Sequence, residues 1–460
     1  MKSIPRCLLL ILILLSILAC SLMPTPAGPT VTPFVPGSTA APTEPVVPTG
    51  VPPTAAADAT AAPTLAPVAT VAPTAAVVPT AACAGDLSTV ALGGLPAGTY
   101  NDVAVQPLVV PPGWEPLWVA FSVGMRPFDP LRSHFLAIYA CDAGTWTERS
   151  RVNLDDVNPP DMDPAMPDFI AEGSVNQVQI DPARIFLAID GGVGAHGGTF
   201  HLLSFDGGVL QGLVSGVGAS PGVGSMQDAD GDGVLDVVLD QSDAYVFCYA
   251  CGVRKISFRV FWWDSVNARI LEARIEHFLM GQPQPMRDLV NPAVDMANAG
   301  LWKDALVAIT EARDLAPSYP ECDIRTLNWD YAMIKLHADR MAADAVDGIY
   351  PLLSRVFYGD YAAAVDLMRP HSPGDVFDPA GPLIAGTVAE GMEGILSGYI
   401  IDSTDAALAL QPNLAEAYLM RGWARYLVDP VSPQVRADVH QAAALRPGDA
   451  YLADCAALFP

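Results

Sequence analysis

The chain has 460 residues, of which 51% are hydrophobic and 16% are charged, and its formal net charge is −26. A surface this acidic repels phosphate backbones, so the composition excludes a nucleic-acid-binding protein. The length allows two or three domains of ~100–200 residues each. The chain contains 43 prolines and 38 glycines, an excess that we expect to be concentrated in one segment.

Residues 1–19 have the composition of a signal peptide. Lys2 and Arg6 precede an apolar run over residues 8–19, which is shorter than the ~20 residues that span a bilayer. The run ends in the tetrapeptide ILAC, which closes at Cys20 and resembles the lipobox of bacterial lipoproteins. The resemblance implies cleavage before Cys20, a lipid on its sulfur, and an extracytoplasmic protein anchored to the bacterial cell membrane. An ordinary signal peptide that is cut elsewhere is the alternative.

Residues 20–82 form a segment of almost pure Pro, Thr, Ala and Val, in which Glu44 and Asp58 are the charged residues. The density of proline excludes a helix, and the pattern has no alternation that would make a strand. After the lipidated cysteine we therefore predict a disordered, extended tether of polyproline character. A glycosylated, mucin-like stalk is the alternative.

Residues 83–280 predict an all-β domain, because short runs of branched and aromatic residues alternate with turn clusters. Asp206 and the two glycines after it predict a hairpin. About ten strands of this length suit a sandwich or a partial set of propeller-like blades. The predicted strands cover residues 117–123, 135–139, 145–154, 175–180, 184–190, 199–205, 234–240, 244–249 and 257–264.

An acidic segment in this region has the spacing of a calcium-binding loop. It carries aspartates at positions 1, 3, 5 and 9 and Gly233 at position 6, so a tight turn would bring alternate oxygens onto one ion. Position 12 is Leu239 instead of the glutamate of an EF-hand, and the residues after the loop predict a strand. The segment resembles the calcium loop of FG-GAP and VCBS-type repeats, and an acidic turn without an ion is the alternative. The predicted ligands of a structural Ca²⁺ are Asp228, Asp230, Asp232, Asp236 and the carbonyl of Val234.

Two glycine-rich motifs in the β region are interpreted as turns. The GxGxxG match at residues 192–197 precedes a predicted strand, so it offers no helix N-terminus to a pyrophosphate. The GxSxG match at residues 218–222 has Pro221 after its serine, and proline lacks the N–H that an oxyanion hole needs. His196 and His201 have no carboxylate or thiol cluster beside them in the sequence, so we interpret them as loop and strand residues.

The acidic stretch at residues 155–168 leaves three interpretations open. It can hold the carboxylate pair of a glycosidase, a second weak calcium site, or a solvated loop. Its prolines and its evenly spread charges favour the loop.

The cysteines favour an exported protein with disulfides. Cys7 lies in the signal peptide and Cys20 at the anchor. The six that remain, for which 15 pairings are possible, are Cys83, Cys141, Cys248, Cys251, Cys322 and Cys455. The simplest prediction pairs Cys83 with Cys141, Cys248 with Cys251, and Cys322 with Cys455. The CxxC at residues 248–251 also matches redox and zinc motifs, but it opens no predicted helix and has no second ligand pair.

From about residue 285 the pattern becomes helical, and small, aromatic and proline residues recur at repeat spacings. The recurring residues are Gly300, Trp302, Ala305, Ala312 and Pro317, then Gly359, Tyr361 and Ala364, then Ala407 with Pro412 and Ala442 with Pro447. This pattern resembles a tetratricopeptide (TPR) array of about four helical hairpins over residues 286–447, closed by a short helix near residues 450–458. Residues 321–358 fit the phase poorly.

The sequence thus predicts a multidomain protein, with an all-β domain at residues 83–280 and an all-α, TPR-like domain at residues 286–460. The resemblance implies a non-catalytic binding or scaffolding lipoprotein whose concave helical face takes a protein or peptide. A carbohydrate-active hydrolase and a calcium-dependent, carbohydrate-binding adhesin are the alternatives. Basic residues in such grooves hold carboxylates, and the candidates here are Lys303, Arg325, Lys335 and Arg421.

Overall fold

The computed structural model describes residues 83–93, 102–126 and 134–460. The predicted signal peptide, Cys20 and the tether lie outside these residues. Within them a β-rich region is followed by an all-helical region, so the predicted order of fold classes is confirmed. In the described part of the chain, no helix is long and apolar enough to cross a membrane.

The first sheet has eight antiparallel strands in the order β4-β3-β2-β5-β6-β7-β8, with β1 paired to β2. A short helix, α1 (Leu87–Gly93), precedes it. The strands are β1 (Asp102–Pro107), β2 (Leu117–Met125), β3 (Phe135–Asp142), β4 (Thr145–Asn153), β5 (Phe169–Val178), β6 (Ile185–Val193), β7 (Gly197–Phe205) and β8 (Leu210–Gly218). The Leu210 amide donates to Ser150 Oγ at 2.9 Å, so β8 lies beside β4 and the sheet is curled into a half-barrel.

Both faces of the middle strands are buried. Ile185, Leu187 and Ile189 of β6 face the interior of the half-barrel. Phe186 and Ala188, on the opposite face, pack against the second sheet. A strand that is buried on both faces has a continuous apolar run in its sequence instead of an alternating pattern.

The second sheet has four antiparallel strands in the order β12-β11-β10-β9. They are β9 (Gly224–Gln227), β10 (Asp236–Asp240), β11 (Phe258–Asp264) and β12 (Arg269–Glu272). The predicted strand at residues 244–249 was wrong, because this segment belongs to a long loop between β10 and β11 with one bridge, Asp243 to Lys255. Val246, Phe247 and Val253 of the loop turn into the core of the helical region, so they do not extend the sheet.

The helical region is a run of helical pairs. Its helices are α2 (Gln284–Asn298), α3 (Trp302–Leu315), α4 (Ile324–Asp347), α5 (Pro351–Tyr358), α6 (Tyr361–Met368), α7 (Pro373–Val376), α8 (Glu393–Leu410), α9 (Ala415–Val428), α10 (Pro433–Leu445) and α11 (Ala450–Ala457). Aspartates cap several N-termini: Asp323 accepts from the Thr326 amide, and Asp449 from the amides of Tyr451 and Leu452. The short closing helix was predicted correctly.

Two of the three predicted disulfides are present, Cys83–Cys141 and Cys248–Cys251. The third was wrong: Cys322 and Cys455 are both unbonded. Cys455 is buried in the large helical core, whereas Cys322 packs at the edge of a different cluster, around α2 and α3. Counting cysteines cannot reveal that the two thiols belong to separate cores.

Candidate functional site

The acidic loop lies between β9 and β10 and folds so that carboxylates converge. Ligand atoms of Asp228, Asp230 and Asp236 all lie within 4.8 Å of one another. Gly231 and Gly233 have positive φ angles of 83° and 88°, a conformation that a residue with a side chain adopts only with strain. The tight turn that the sequence predicts is therefore formed by the glycines within it.

Backbone amides hold the loop in shape. Asp228 accepts from the amides of Gly231 at 2.9 Å and Gly233 at 3.0 Å, and Asp230 accepts from Asp232. Asp232 lies beside the converging set, with its Oδ1 accepting from the Val234 amide at 2.8 Å. The carboxylates are thus oriented by the loop's own backbone.

Asp236 is the buried member of the loop, only 3% exposed. Its pKa is raised to about 7: burial is the largest cause, the hydrogen bond from the Ala229 amide opposes the rise, and the carboxylates of Asp230, Asp232 and Asp228 add to it. The pKa of Asp230 is raised as well, chiefly by burial. The loop therefore places three further carboxylates around one buried carboxyl group, that of Asp236.

The helical region reaches this loop through α4. Ala229 packs with Trp262, Trp329 and other residues at the contact between the second sheet and α4. Arg325 lies 3.9 Å above the ring of Trp262, and its positive charge partly opposes the rise in the pKa of Asp230 that burial causes. The acidic loop is therefore built into the interface between the β and helical regions.

The acidic stretch at residues 155–168 is tied to the half-barrel. Arg126 bridges Asp155 at 2.9 Å and Asp168 at 3.0 Å, so these two carboxylates share one guanidinium. The backbone is anchored too: Ser215 Oγ donates to the Asp163 carbonyl, and His201 Nε2 lies 3.1 Å from the Ala165 carbonyl. The stretch is thus a loop held against β7 and β8 of the half-barrel.

The GxGxxG match and the two histidines of the β region lie in turn or strand positions, as we interpreted them. The GxGxxG match is followed by β7, a strand. His201 is 1% exposed inside the half-barrel, and burial lowers its pKa to about 4. His196 is stacked on Tyr249, with ring centroids 4.0 Å apart.

Two of the helical pairs meet at their turns. Gly300, between α2 and α3, and Gly359, between α5 and α6, both have positive φ angles, 74° and 78°. A Cβ added to Gly359 would lie 2.6 Å from the Gly300 carbonyl oxygen, so the two turns touch directly. Lys303 and Asp360, which follow these glycines, form an ion pair at 2.9 Å. Sequence spacing marked both glycines as repeat positions but did not predict that their turns are in contact.

Each of the four basic groove candidates has a partner within the chain. Lys303 pairs with Asp360, Lys335 with Asp339, and Arg325 with the Trp262 ring. Arg421 contacts the buried carboxylate of Asp438 at 2.7 Å and Asp405 at 2.6 Å. A role for these residues in peptide binding stays a prediction.

No protein-family model, no curated protein and no solved structure matches this chain.

Proposed function

We propose that this chain is an extracytoplasmic, membrane-anchored binding or scaffolding lipoprotein. Its helical region, which resembles a TPR array, takes a protein or peptide partner, and its β region carries a structural calcium ion in a loop of the FG-GAP or VCBS type. The chain is non-catalytic in this proposal. The lipid on Cys20 holds the protein at the cell membrane.

One observation supports the binding role most strongly, the direct contact between the α2–α3 and α5–α6 turns. Helical hairpins that lie side by side with their turns in contact form an extended surface, and repeat proteins use such surfaces to bind other chains. Small residues at the turns allow this close approach: the nearest atoms to a Cβ on Gly359 are backbone atoms of Gly300 and Leu301.

Photo-crosslinking on intact cells tests the binding role. We expect a crosslinking amino acid at Val307 or Val428 to capture the same protein, because both valines are exposed on helices, by 67% and 62%. Val209 is the matched control, since it is 66% exposed but lies in the β7–β8 hairpin. Mass spectrometry identifies the captured chain. Failure to capture any protein from the helical positions, or equal capture from Val209, would contradict the proposal.

Calcium is the ion that fits the loop best. Several carboxylates converge within 4.8 Å, and oxygen is the ligand atom that calcium prefers. Asp228, Asp230, Asp232 and Asp236 would hold it, together with the Val234 carbonyl. Burial is the main cause of the raised pKa values of Asp230 and Asp236, and repulsion between the carboxylates adds to it. The ion would neutralise these charges, so its role is to stabilise the loop and the surfaces packed on it.

We expect calcium to raise the melting temperature of the full chain. An extracellular calcium module has a Kd of ~10⁻⁴–10⁻³ M, so ~1 mM calcium contributes up to about 1.4 kcal/mol to the free energy of unfolding. A chelator should reverse the shift, and magnesium should replace calcium poorly, because it requires a tighter octahedron. Differential scanning calorimetry with and without calcium measures the effect.

Matched variants distinguish calcium binding by the loop from a general effect of removing an aspartate. Asp230→Ala and Asp232→Ala should abolish the calcium-dependent shift. Asp206→Ala should keep it, because Asp206 accepts backbone amides in a similar exposed turn but stands outside the acidic loop. An unchanged melting curve at millimolar calcium, with no heat of binding, would show that the segment is an acidic turn alone.

A further inference from the structure

A single histidine hydrogen bond joins the helical region to the start of a β-strand. His337 lies on α4 and is 6% exposed. Its Nε2 accepts from the backbone amide of Phe258, the first residue of β11, at 3.2 Å. Its Nδ1 lies 2.8 Å from the Met333 carbonyl on its own helix. Since a carbonyl can only accept, the proton is on Nδ1 and the Nε2 lone pair faces the amide.

The ring is also enclosed by aromatic side chains of both regions. Trp302, the first residue of α3, is stacked on it, with centroids 4.5 Å apart and planes 7° apart. Phe258 meets it edge-on at 5.3 Å. A ring held between two side chains cannot rotate away to find another partner. Whether the hydrogen bond with the Phe258 amide forms therefore depends on the protonation state of the ring.

A second group on α4 contacts the β region in the same way. Asp330, two turns earlier, accepts from the backbone amide of Glu276 at 2.8 Å, in the segment after β12. Asp330 is fully buried, and burial raises its pKa to about 8, so it carries a proton throughout the acidic range. Its charge is therefore constant when His337 titrates below neutral pH.

The charged side chains beside the contact are paired elsewhere. Burial lowers the pKa of His337 and the Met333 carbonyl opposes this; no charged side chain of the described residues contributes to the shift. The neighbouring pairs on α3, β11 and α4 are Lys303 with Asp360, Arg259 with Glu272, and Lys335 with Asp339.

We propose that His337 is an acid-sensitive latch between the helical and β regions. The neutral imidazole accepts the Phe258 amide and holds α4 on the second sheet. A proton on Nε2 replaces the acceptor with a donor, so that two N–H groups face each other in a buried site. Acid therefore loosens the docking of α4 on β11 before it unfolds the half-barrel.

The sign of the pH dependence follows from the lowered pKa. In the open or unfolded chain His337 protonates near its ordinary value of about 6.5, whereas in the docked state it resists protonation. The contribution of the latch is complete above pH ~6.5 and is lost as the pH falls through the lowered pKa.

Amide hydrogen exchange on the full chain between pH 5 and 8 tests the latch. After correction for intrinsic exchange, protection of the Phe258 amide should fall about tenfold for each pH unit through which the latch is lost. Protection of β3, which is paired with β2 and β4 in the half-barrel, should stay constant over the same range. A Phe258 amide whose protection does not change while His337 titrates would overturn the proposal.

Variants test whether His337 itself is responsible. His337→Gln keeps an acceptor that cannot titrate, so the Phe258 amide should remain protected at pH 5. His371→Gln removes a histidine outside this contact and should keep the wild-type acid response. If His337→Gln responds to acid as the wild type does, the latch is wrong. Nitrogen chemical shifts of the wild-type imidazoles give a measurement that needs no variant: His337 should be the Nδ1–H tautomer at pH 7.

Discussion

Asp330→Asn is expected to stabilise the chain by about 3 kcal/mol at pH 8 and to change its stability little at pH 4. The Asp330 carboxyl is fully buried, and its Oδ2 has no hydrogen-bond partner among the described residues. Asparagine keeps an oxygen for the Glu276 amide but never ionises. The free energy of unfolding, obtained from urea titrations across this pH range, measures the effect.

The direction of the change in stability with pH follows from which state of the chain, folded or unfolded, binds the proton. In the unfolded chain Asp330 ionises near its ordinary pKa of 3.8, whereas in the folded chain burial raises the pKa to about 8. Between these values the folded state binds the extra proton, so stability falls as the pH rises. The asparagine variant should lose this slope.

Asp314→Asn is the control for the change of charge, because Asp314 is exposed on α3. Its effect should stay within ~0.5 kcal/mol at every pH. If Asp330→Asn and Asp314→Asn show the same pH profile, burial of the Asp330 carboxyl does not govern the pH dependence.

Gly359→Ala is expected to destabilise the chain by about 3 kcal/mol, and Gly300→Ala by only about 1 kcal/mol. Both glycines have positive φ angles, so each substitution pays for a strained backbone. At Gly359 the new Cβ would also meet the Gly300 oxygen at 2.6 Å and Leu301 Cα at 2.7 Å, whereas at Gly300 nothing lies within 4 Å.

The difference between the two variants isolates the contact between hairpin turns, because the backbone strain is common to both. Urea denaturation of the two proteins, with equal m-values as a check, gives that difference directly. Equal losses of stability would mean that the two turns do not pack against each other in solution.

Features that depend on nearby residues were predictable from the sequence. The β7–β8 hairpin forms at the predicted turn, where Phe205 pairs with Leu210 and Gly207 has a φ angle of 99°. The convergence of carboxylates in the acidic loop follows from spacing alone, because all its members lie within nine residues. Gly300 and Gly359 were recognised in the same way, as small residues at repeat spacings.

Features that depend on distant partners were not predictable. Residues 321–358 fit the repeat phase poorly because α4 is 24 residues long and uses one face to dock on the second sheet. Its contacts there join His337 to Phe258, 79 residues away, and Asp330 to Glu276, 54 residues away. Such contacts cannot be recognised from the local periodicity of the sequence. Likewise the loop at residues 241–257 has the composition of a strand, but its apolar side chains serve the helical core.

The Cys83–Cys141 disulfide also determines how the fold would carry a mechanical load. It closes a covalent loop between residues 58 apart in sequence and joins the first described residue to β3, inside the half-barrel. Tension applied through the chain that precedes Cys83 would pass across the sulfur bridge and pull on β3 directly. Residues 84–140, including α1, β1 and β2, would be bypassed, and could not be drawn out to full extension while the bridge is intact. Under reducing conditions the same pull would instead peel the fold from α1 and β1.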